Sequence, residues 1–194
     1  MSMDEQELIA QVKRGDESAY TVIVRLYKDR IVNFLFQMTN DYQRAVDLSQ
    51  ETFMRVYFKA DRYRPIAPLS SWIFAIAANL AKTDIKRRKR MALVSIEDLP
   101  PTVLLSTPGD SVNSGLSGNL RRALDDLNPR YRIPILLKDV EGYSQEEIAQ
   151  IIKRPVGTVK ARISRGRAIL KKSLENARRD LNAVPKTEML DERL

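Results

Sequence analysis

Five residues, Lys153-Arg154-Pro155-Val156-Gly157, separate two stretches that each read as helix, and this break constrains the fold more than any other feature of the chain. Pro155 has no amide hydrogen and disfavours helix in the residue before it, so one continuous helix is excluded. Upstream, Ser144 followed by Glu147 predicts a capping box, in which each side chain satisfies a backbone N–H of the first turn. Ile148, Ile151 and Ile152 then recur at the spacing of one apolar helical face. Downstream the pattern resumes at Thr158. Wound as a helix, residues 159–174 place Val159, Ile163, Gly166, Leu170 and Leu174 on one stripe, with Gly166 expected to let the first helix approach closely. The opposite face carries Lys160, Ala161, Ser164, Arg165, Ala168, Lys171 and Lys172, flanked by Arg162 and Arg167.

Small residues alternating with long cations let a helix sit deep in a major groove while Lys and Arg reach bases and phosphates, so the stretch reads as a helix-turn-helix. Lys153 to Arg179 holds ten basic residues and one acid, Glu175. A surface built for solubility mixes the signs, which argues against a merely solvated basic face. Thr158, Lys160, Ala161, Arg162, Ser164, Arg165, Arg167 and Lys171 are the candidate duplex contacts.

The remainder of the chain limits the chemistry. A formal charge of +8 and a pI near 9.8 point to a polyanionic partner, nucleic acid or anionic membrane. With no cysteine and no histidine, the chain lacks a disulfide framework, the thiol nucleophile, and the commonest general base and transition-metal ligand. No paired-acid constellation or glycine-rich phosphate loop stands out, so the expectation is a protein without catalytic residues, metal or cofactor. No apolar run is long enough to span a bilayer, which predicts a cytoplasmic protein.

Helix formers dominate and nothing alternates with period two for long, so the fold class expected is all-α. Leu8, Ile9 and Val12 share a face of a short helix stopped by Gly15. Asp16 or Ser18 caps a second helix with Tyr20, Ile23, Val24, Tyr27, Ile31, Phe34 and Leu35 spaced for burial. Asn40-Asp41 reads as a stop and a new cap. The third helix turns Ala45, Leu48, Phe53, Val56 and Tyr57 inward and Asp47, Gln50, Glu51 and Arg55 outward. A loop at 61–69, stiffened by Pro65 and Pro68, leads to a helix capped by Ser70 and running to about Arg90. From residue 70 to 90 there are six basic residues and one acid, Asp84. One or two cations suit the end of a helix dipole, whereas the run Lys86–Arg90 is more than that requires and predicts phosphate contact. Trp72 reads as core before it reads as a platform for a stacked base.

Met91 to Gly118 has no lysine or arginine and holds three of the nine prolines and three of the seven glycines, so it reads as a linker between two basic modules. The second module opens with Leu120, Ala123, Leu124 and Leu127 on one face. Asn128-Pro129 starts another helix with Tyr131, Ile135 and Leu136 inward and Pro134 early enough to be tolerated. The tail at 180–194 is polar and expected to fray.

Three segments together resemble bacterial RNA polymerase sigma factors of the extracytoplasmic-function (ECF) group, in the sigma-70 superfamily. DLSQETFMRVY (47–57) resembles the region 2 helix that binds the polymerase, and SSWIFAIAANLAKTDIKRRKR (70–90) is similar to the segment that captures the unstacked −10 element. Residues 127–174 resemble region 4, which reads the −35 element. The resemblance implies two small helical domains, region 2 at 1–92 and region 4 at 119–179, joined by a flexible linker at 93–118. It implies an alternative sigma factor whose partners are core RNA polymerase (β′ and β subunits), promoter DNA and an anti-sigma factor, with no cofactor.

Residue by residue, it assigns Asp47, Gln50, Glu51 and Arg55 to the polymerase. Asn79 matches the asparagine that helps hold a flipped −10 base, in a pocket formed by the loop ending at Leu69 beside Trp72. Lys82, Lys86, Arg87 and Arg88 line the strand. In region 4, Lys160, Ala161, Ser164 and Arg165 fall on the positions that read the −35 groove, where Ala161 replaces the serine of many relatives. The residues alone also admit a conventional helix-turn-helix regulator, with residues 1–92 sensing a ligand or dimerising, and an RNA-binding adaptor. The regulator predicts tight duplex binding by the isolated protein and a dimer on a palindrome.

Overall fold

The computed structural model describes residues 4–97 and 118–183, of which 4–92 and 118–179 are described with their side chains. Most of the expected linker and of the 180–194 tail lies outside these residues. Within them the chain is helical and has no strand, and no helix is long and apolar enough to cross a membrane.

The first unit comprises α1 (Glu5–Lys13), α2 (Glu17–Thr39), α3 (Tyr42–Phe58), a 3-10 turn at Ala60–Arg62, and α4 (Leu69–Glu97). Its boundaries follow from local chemistry. Asp16 caps α2 by accepting from the Ser18 and Ala19 N–H groups, Asn40 ends it in the left-handed region at φ 51°, and Asp41 caps α3 by accepting from Arg44 N–H. Gly15 supplies the turn between α1 and α2 at φ 89°, a conformation a side chain would strain. α4 starts at Leu69, one residue before the cap expected at Ser70, with Pro68 O accepting from Trp72 N–H at 3.4 Å. It continues to Glu97, past the expected end near Arg90 and into the expected linker.

Burial in this unit follows the helical spacing. Ile23, Ile31, Phe34 and Leu35 of α2, Ala45, Leu48, Phe53 and Val56 of α3, and Ile73, Phe74, Ala77 and Ala81 of α4 form its core. Trp72 is half-buried, tilted against Tyr63 with ring centroids 5.5 Å apart.

The second unit comprises α5 (Gly118–Asp126), α6 (Pro129–Ile135), a π-helical turn at Leu136–Val140, α7 (Gln145–Ile152) and α8 (Val156–Ala183). Asn128 caps α6 and Pro129 is its first residue. Pro134 falls inside α6 rather than at its start, and two residues later the backbone widens, Glu141 N–H donating to Leu136 O at 3.0 Å. The Ser144–Glu147 capping box is complete, with both hydrogen bonds present at 2.7 and 3.1 Å. The turn into α8 is made by Lys153 in the left-handed region at φ 51° followed by Pro155, so Gly157 lies inside the first turn of α8. Gly166 faces α6, not the first helix of the hairpin: a Cβ there would stand 2.5 Å from Ile135 Cδ1 and 3.1 Å from Tyr131 Cβ.

The two units lie against each other. α4 packs on α7, and α2 touches α5 and α6. One apolar cluster runs through both, joining Phe74 and Ala78 to Leu136, Leu137, Tyr143, Ile148 and Ile151. The Phe74 and Tyr143 rings meet across the boundary. Arg132 is buried and donates from Nη1 to Met38 O at 2.7 Å, and Arg30 Nε donates to Glu141 at 3.1 Å.

Candidate nucleic-acid interface

α8 presents the cations that the sequence places on one face. Lys160, Ala161, Ser164, Arg165 and Lys171 are exposed, while Val159, Ile163 and Leu170 are buried and hold the helix to α6 and α7. Lys160 and Arg165 make no ion pair among the described residues, so both guanidinium and ammonium groups are available to an anion. Thr158 and Arg162 are half-buried. Arg167 is committed elsewhere: it forms a two-point pair with Asp139, its Nε 3.2 Å from the carboxylate. Lys171 approaches Glu175 at 3.9 Å, an exposed pair of little energetic weight.

The cationic end of α4 is organised around its one acid. Asp84 is buried and accepts from Arg44 of α3, with Nε at 3.0 Å. Arg87 Nη2 lies 3.4 Å from Oδ1 and Arg88 Nε 3.4 Å from Oδ2. Arg88 also donates to Asp41 at 2.9 Å. Burial raises the Asp84 carboxyl, but the Arg44 hydrogen bond and the charges of Arg44, Arg88 and Arg87 outweigh it and hold the group below the usual carboxylate range. The Arg44 backbone N–H and the Arg88 side chain hold Asp41 low in the same way. Lys82 and Lys86 are exposed.

Asn79 and the 63–69 loop do not meet. The loop and the start of α1 line a cavity of about 510 Å³, bounded by Asp4, Glu5, Gln6, Tyr63, Ile66 and Leu69 among others, with Leu69 buried beneath it. Asn79 stands ten residues farther along α4, about 15 Å at 1.5 Å per residue, and is not part of that wall. Asn79 and Lys82 instead face a narrow cleft whose other wall is the second unit, including Arg130, Pro134, Arg154 and Arg162. Residues expected to contact the −10 strand and one expected to contact the −35 duplex thus share a single cleft.

On α3, Asp47 and Gln50 are exposed, and Glu51 pairs with Arg55 one turn later at 2.6 Å. Met54 and Phe58 are exposed apolar side chains on the same helix. The groups that sequence reasoning passed over are those joining the units: Arg30, Arg132, Glu141 and Tyr143. Burial pushes the Glu141 carboxyl up, with Arg30 only partly offsetting it, and burial lowers the Arg132 guanidinium. An arginine with burial this complete and five backbone or carboxylate contacts has no signature in one dimension.

A family model for sigma-70 region 2 matches residues 23–91, and one for sigma-70 region 4 matches residues 117–170. The ECF RNA polymerase sigma factor SigW of Bacillus subtilis (strain 168) is 34% identical over 186 residues, covering 91% of this chain and 100% of the relative. The ECF RNA polymerase sigma-E factor of Escherichia coli (strain K12) is 29% identical, covering 85% of this chain and 91% of its own. Among solved structures, the sigma factor RpoE in complex with the anti-sigma factor NepR from Bartonella quintana is similar at TM-score 0.64 and 26% identity, over 80% of this chain and 96% of that one. CnrH in complex with the cytosolic domain of CnrY shares the fold at TM-score 0.66 and 22% identity, over 89% and 97%. The chain belongs to the ECF group of sigma-70 RNA polymerase sigma factors.

Proposed function

We propose a division of labour within this alternative sigma factor, which directs promoter-specific initiation by core RNA polymerase. Residues 1–92 act as region 2 and residues 119–179 as region 4, with 93–118 as the linker and 180–194 as the tail. Asp47, Gln50, Glu51 and Arg55 meet the polymerase. Lys160, Ala161, Ser164 and Arg165 read the −35 duplex, and Thr158, Arg162 and Lys171 steady the helix on phosphates, while Arg167 is held back by Asp139. On the melted strand, Asn79 receives an extruded base, Lys82, Lys86, Arg87 and Arg88 track the backbone, and the cavity above Leu69 takes a second base beside Trp72.

The observation that carries this reading is the cleft shared by Asn79, Lys82 and Arg162. Asn79 and Lys82 are exposed, but the second unit walls the cleft beside them, so a strand following α4 meets that wall and this form narrows the path for promoter DNA. Opening then depends on a partner with affinity for the separated units, which is the role of the polymerase. Unstacking costs a few kcal/mol per base step, and a pocket around the extruded base offsets part of that. The chain supplies positioning and electrostatics, catalyses nothing itself, and acts in the cytoplasm. An anti-sigma partner is supported by the NepR complex of RpoE, the similar structure at 26% identity.

Run-off transcription with purified core polymerase on a promoter library, with and without the protein, tests the reading. Transcripts sharing a −10 and −35 pair only when the protein is present are expected. A tight palindrome-specific dimer that binds duplex without polymerase would instead favour the regulator.

A further inference from the structure

The stretch from residue 70 to 90 carries six basic residues and a single acid, Asp84, whose side chain is 2% exposed. A carboxylate buried on a helix otherwise built for cations is costly unless it is paired, and it adds nothing to solubility. Its partners lie in line. Arg44 Nη1 stands 3.9 Å from Asp47, on the face assigned to the polymerase, and Arg44 donates to Asp84. Asp84 in turn holds Arg87 and Arg88, on the face assigned to the strand, and Asp41 holds Arg88 from the other side. One buried carboxylate therefore connects α3 to two of the three cations at the end of α4 that the −10 reading uses.

We propose that Asp84 is a positioning residue for −10 strand capture. It draws Arg87 and Arg88 back against α3 and fixes their guanidinium planes, so a phosphate gains their charge only when the strand follows one path along α4. Asp84 thereby trades affinity for any single strand against selectivity for a strand already placed by its extruded base. Fixed geometry of this kind is what separates a recognition surface from a merely cationic one. The proposal rests on α4 being the strand-binding helix.

The test is full-length protein assembled with core polymerase on fork-junction DNA with a single-stranded −10 segment, cognate or scrambled, read by fluorescence anisotropy across a potassium chloride titration. Each further phosphate neutralised on a single strand steepens the log–log salt slope by about 0.7. Asp84→Asn frees both arginines, so its slope is expected to steepen by about 0.7–1.4, with scrambled DNA bound more tightly and the cognate-to-scrambled ratio lower. Asp84→Glu keeps the charge and is expected to restore wild-type slope and ratio.

Asp41→Asn retains the α3 cap while releasing only Arg88, and is expected to give the smaller shift of the same sign; it decides the matter if Asp84→Asn does not fold. A purely structural role would lower the bound fraction equally on both DNAs and leave the slope unchanged, and that result overturns the proposal. Arg88→Ala separates the two levels: an unchanged slope there removes α4 from the strand path and the proposal with it, while a slope shallower by about 0.7 beside unaffected Asp84→Asn and Asp41→Asn overturns the proposal alone.

Discussion

The ring of Tyr143, from the segment just before α7, meets the ring of Phe74 of α4 edge to face, with centroids 5.4 Å apart and planes at 70°. Phe74 is fully buried and Tyr143 nearly so, and neither would be if the two units separated without rearrangement. An aromatic pair in this geometry contributes about 0.5–1.5 kcal/mol beyond its area, or roughly two- to tenfold in an equilibrium. Tyr143→Leu keeps apolar bulk and removes the ring. The free variant is expected to shift toward the open form by that factor, seen as a larger radius of gyration in small-angle scattering and tighter binding of a melted −10 oligonucleotide. An unchanged radius and affinity would show that this contact does not hold the closed form.

The Arg30–Glu141 pair across the same boundary makes a different prediction. Burial raises the Glu141 carboxyl above its ordinary value of 4.5. A raised carboxylate favours the packed form at low pH; that contribution is fully present below 4.5 and is lost as pH rises through the raised value. At neutral pH the ionised pair therefore adds little net stability, as expected for a charge taken out of water. Glu141→Gln, which still accepts from Arg30, is expected to leave closure unchanged or slightly stronger at neutral pH and to flatten its pH dependence. Interdomain fluorescence transfer across a pH series reads both effects.

Gly166 is where α8 crosses α6 without room for a side chain. Gly166→Val forces atoms against Ile135 and the Tyr131 Cβ and adds a β-branched residue to a helix, an overpacking of about 1–3 kcal/mol. Thermal unfolding is expected to fall by roughly 2–4 °C for each kcal/mol. Binding to −35 duplex is expected to weaken in parallel, because the same crossing aims Lys160 and Arg165. A variant as stable as the parent would mean that α6 moves aside freely.

Arg165 and Arg167 are two residues apart in the sequence and unequal in the structure. Arg165 is unpaired among the described residues, whereas Arg167 is bound at two points by Asp139. Arg165→Ala is expected to cost about 1–3 kcal/mol on the cognate −35 duplex and to relax specificity there. Arg167→Ala is expected to cost less, and Asp139→Asn to strengthen duplex binding of every sequence by freeing a cation. Electrophoretic mobility of promoter DNA with the assembled holoenzyme ranks the three; equal losses for both arginines would contradict the pairing.

Much of this molecule was legible in one dimension. Helix ends at Asp16, Asn40-Asp41 and the Ser144–Glu147 box, the inward faces of α2 and α3, and the exposed cationic face of α8 all depend on a cap or on i, i+3 and i+4 spacing, which can be counted along the sequence. Those are interactions within a turn or two, so local chemistry determined them. What the spacing left open was the company each face keeps. Arg30 and Glu141 are 111 residues apart, Arg132 and Met38 are 94, Arg88 and Asp41 are 47, and Arg167 and Asp139 are 28. No periodicity links positions so distant. Only the packed chain decided that Gly166 serves α6, that Asp84 gathers three arginines, and that Asn79 and Arg162 face one cleft, because each depends on how separate helices fill space together.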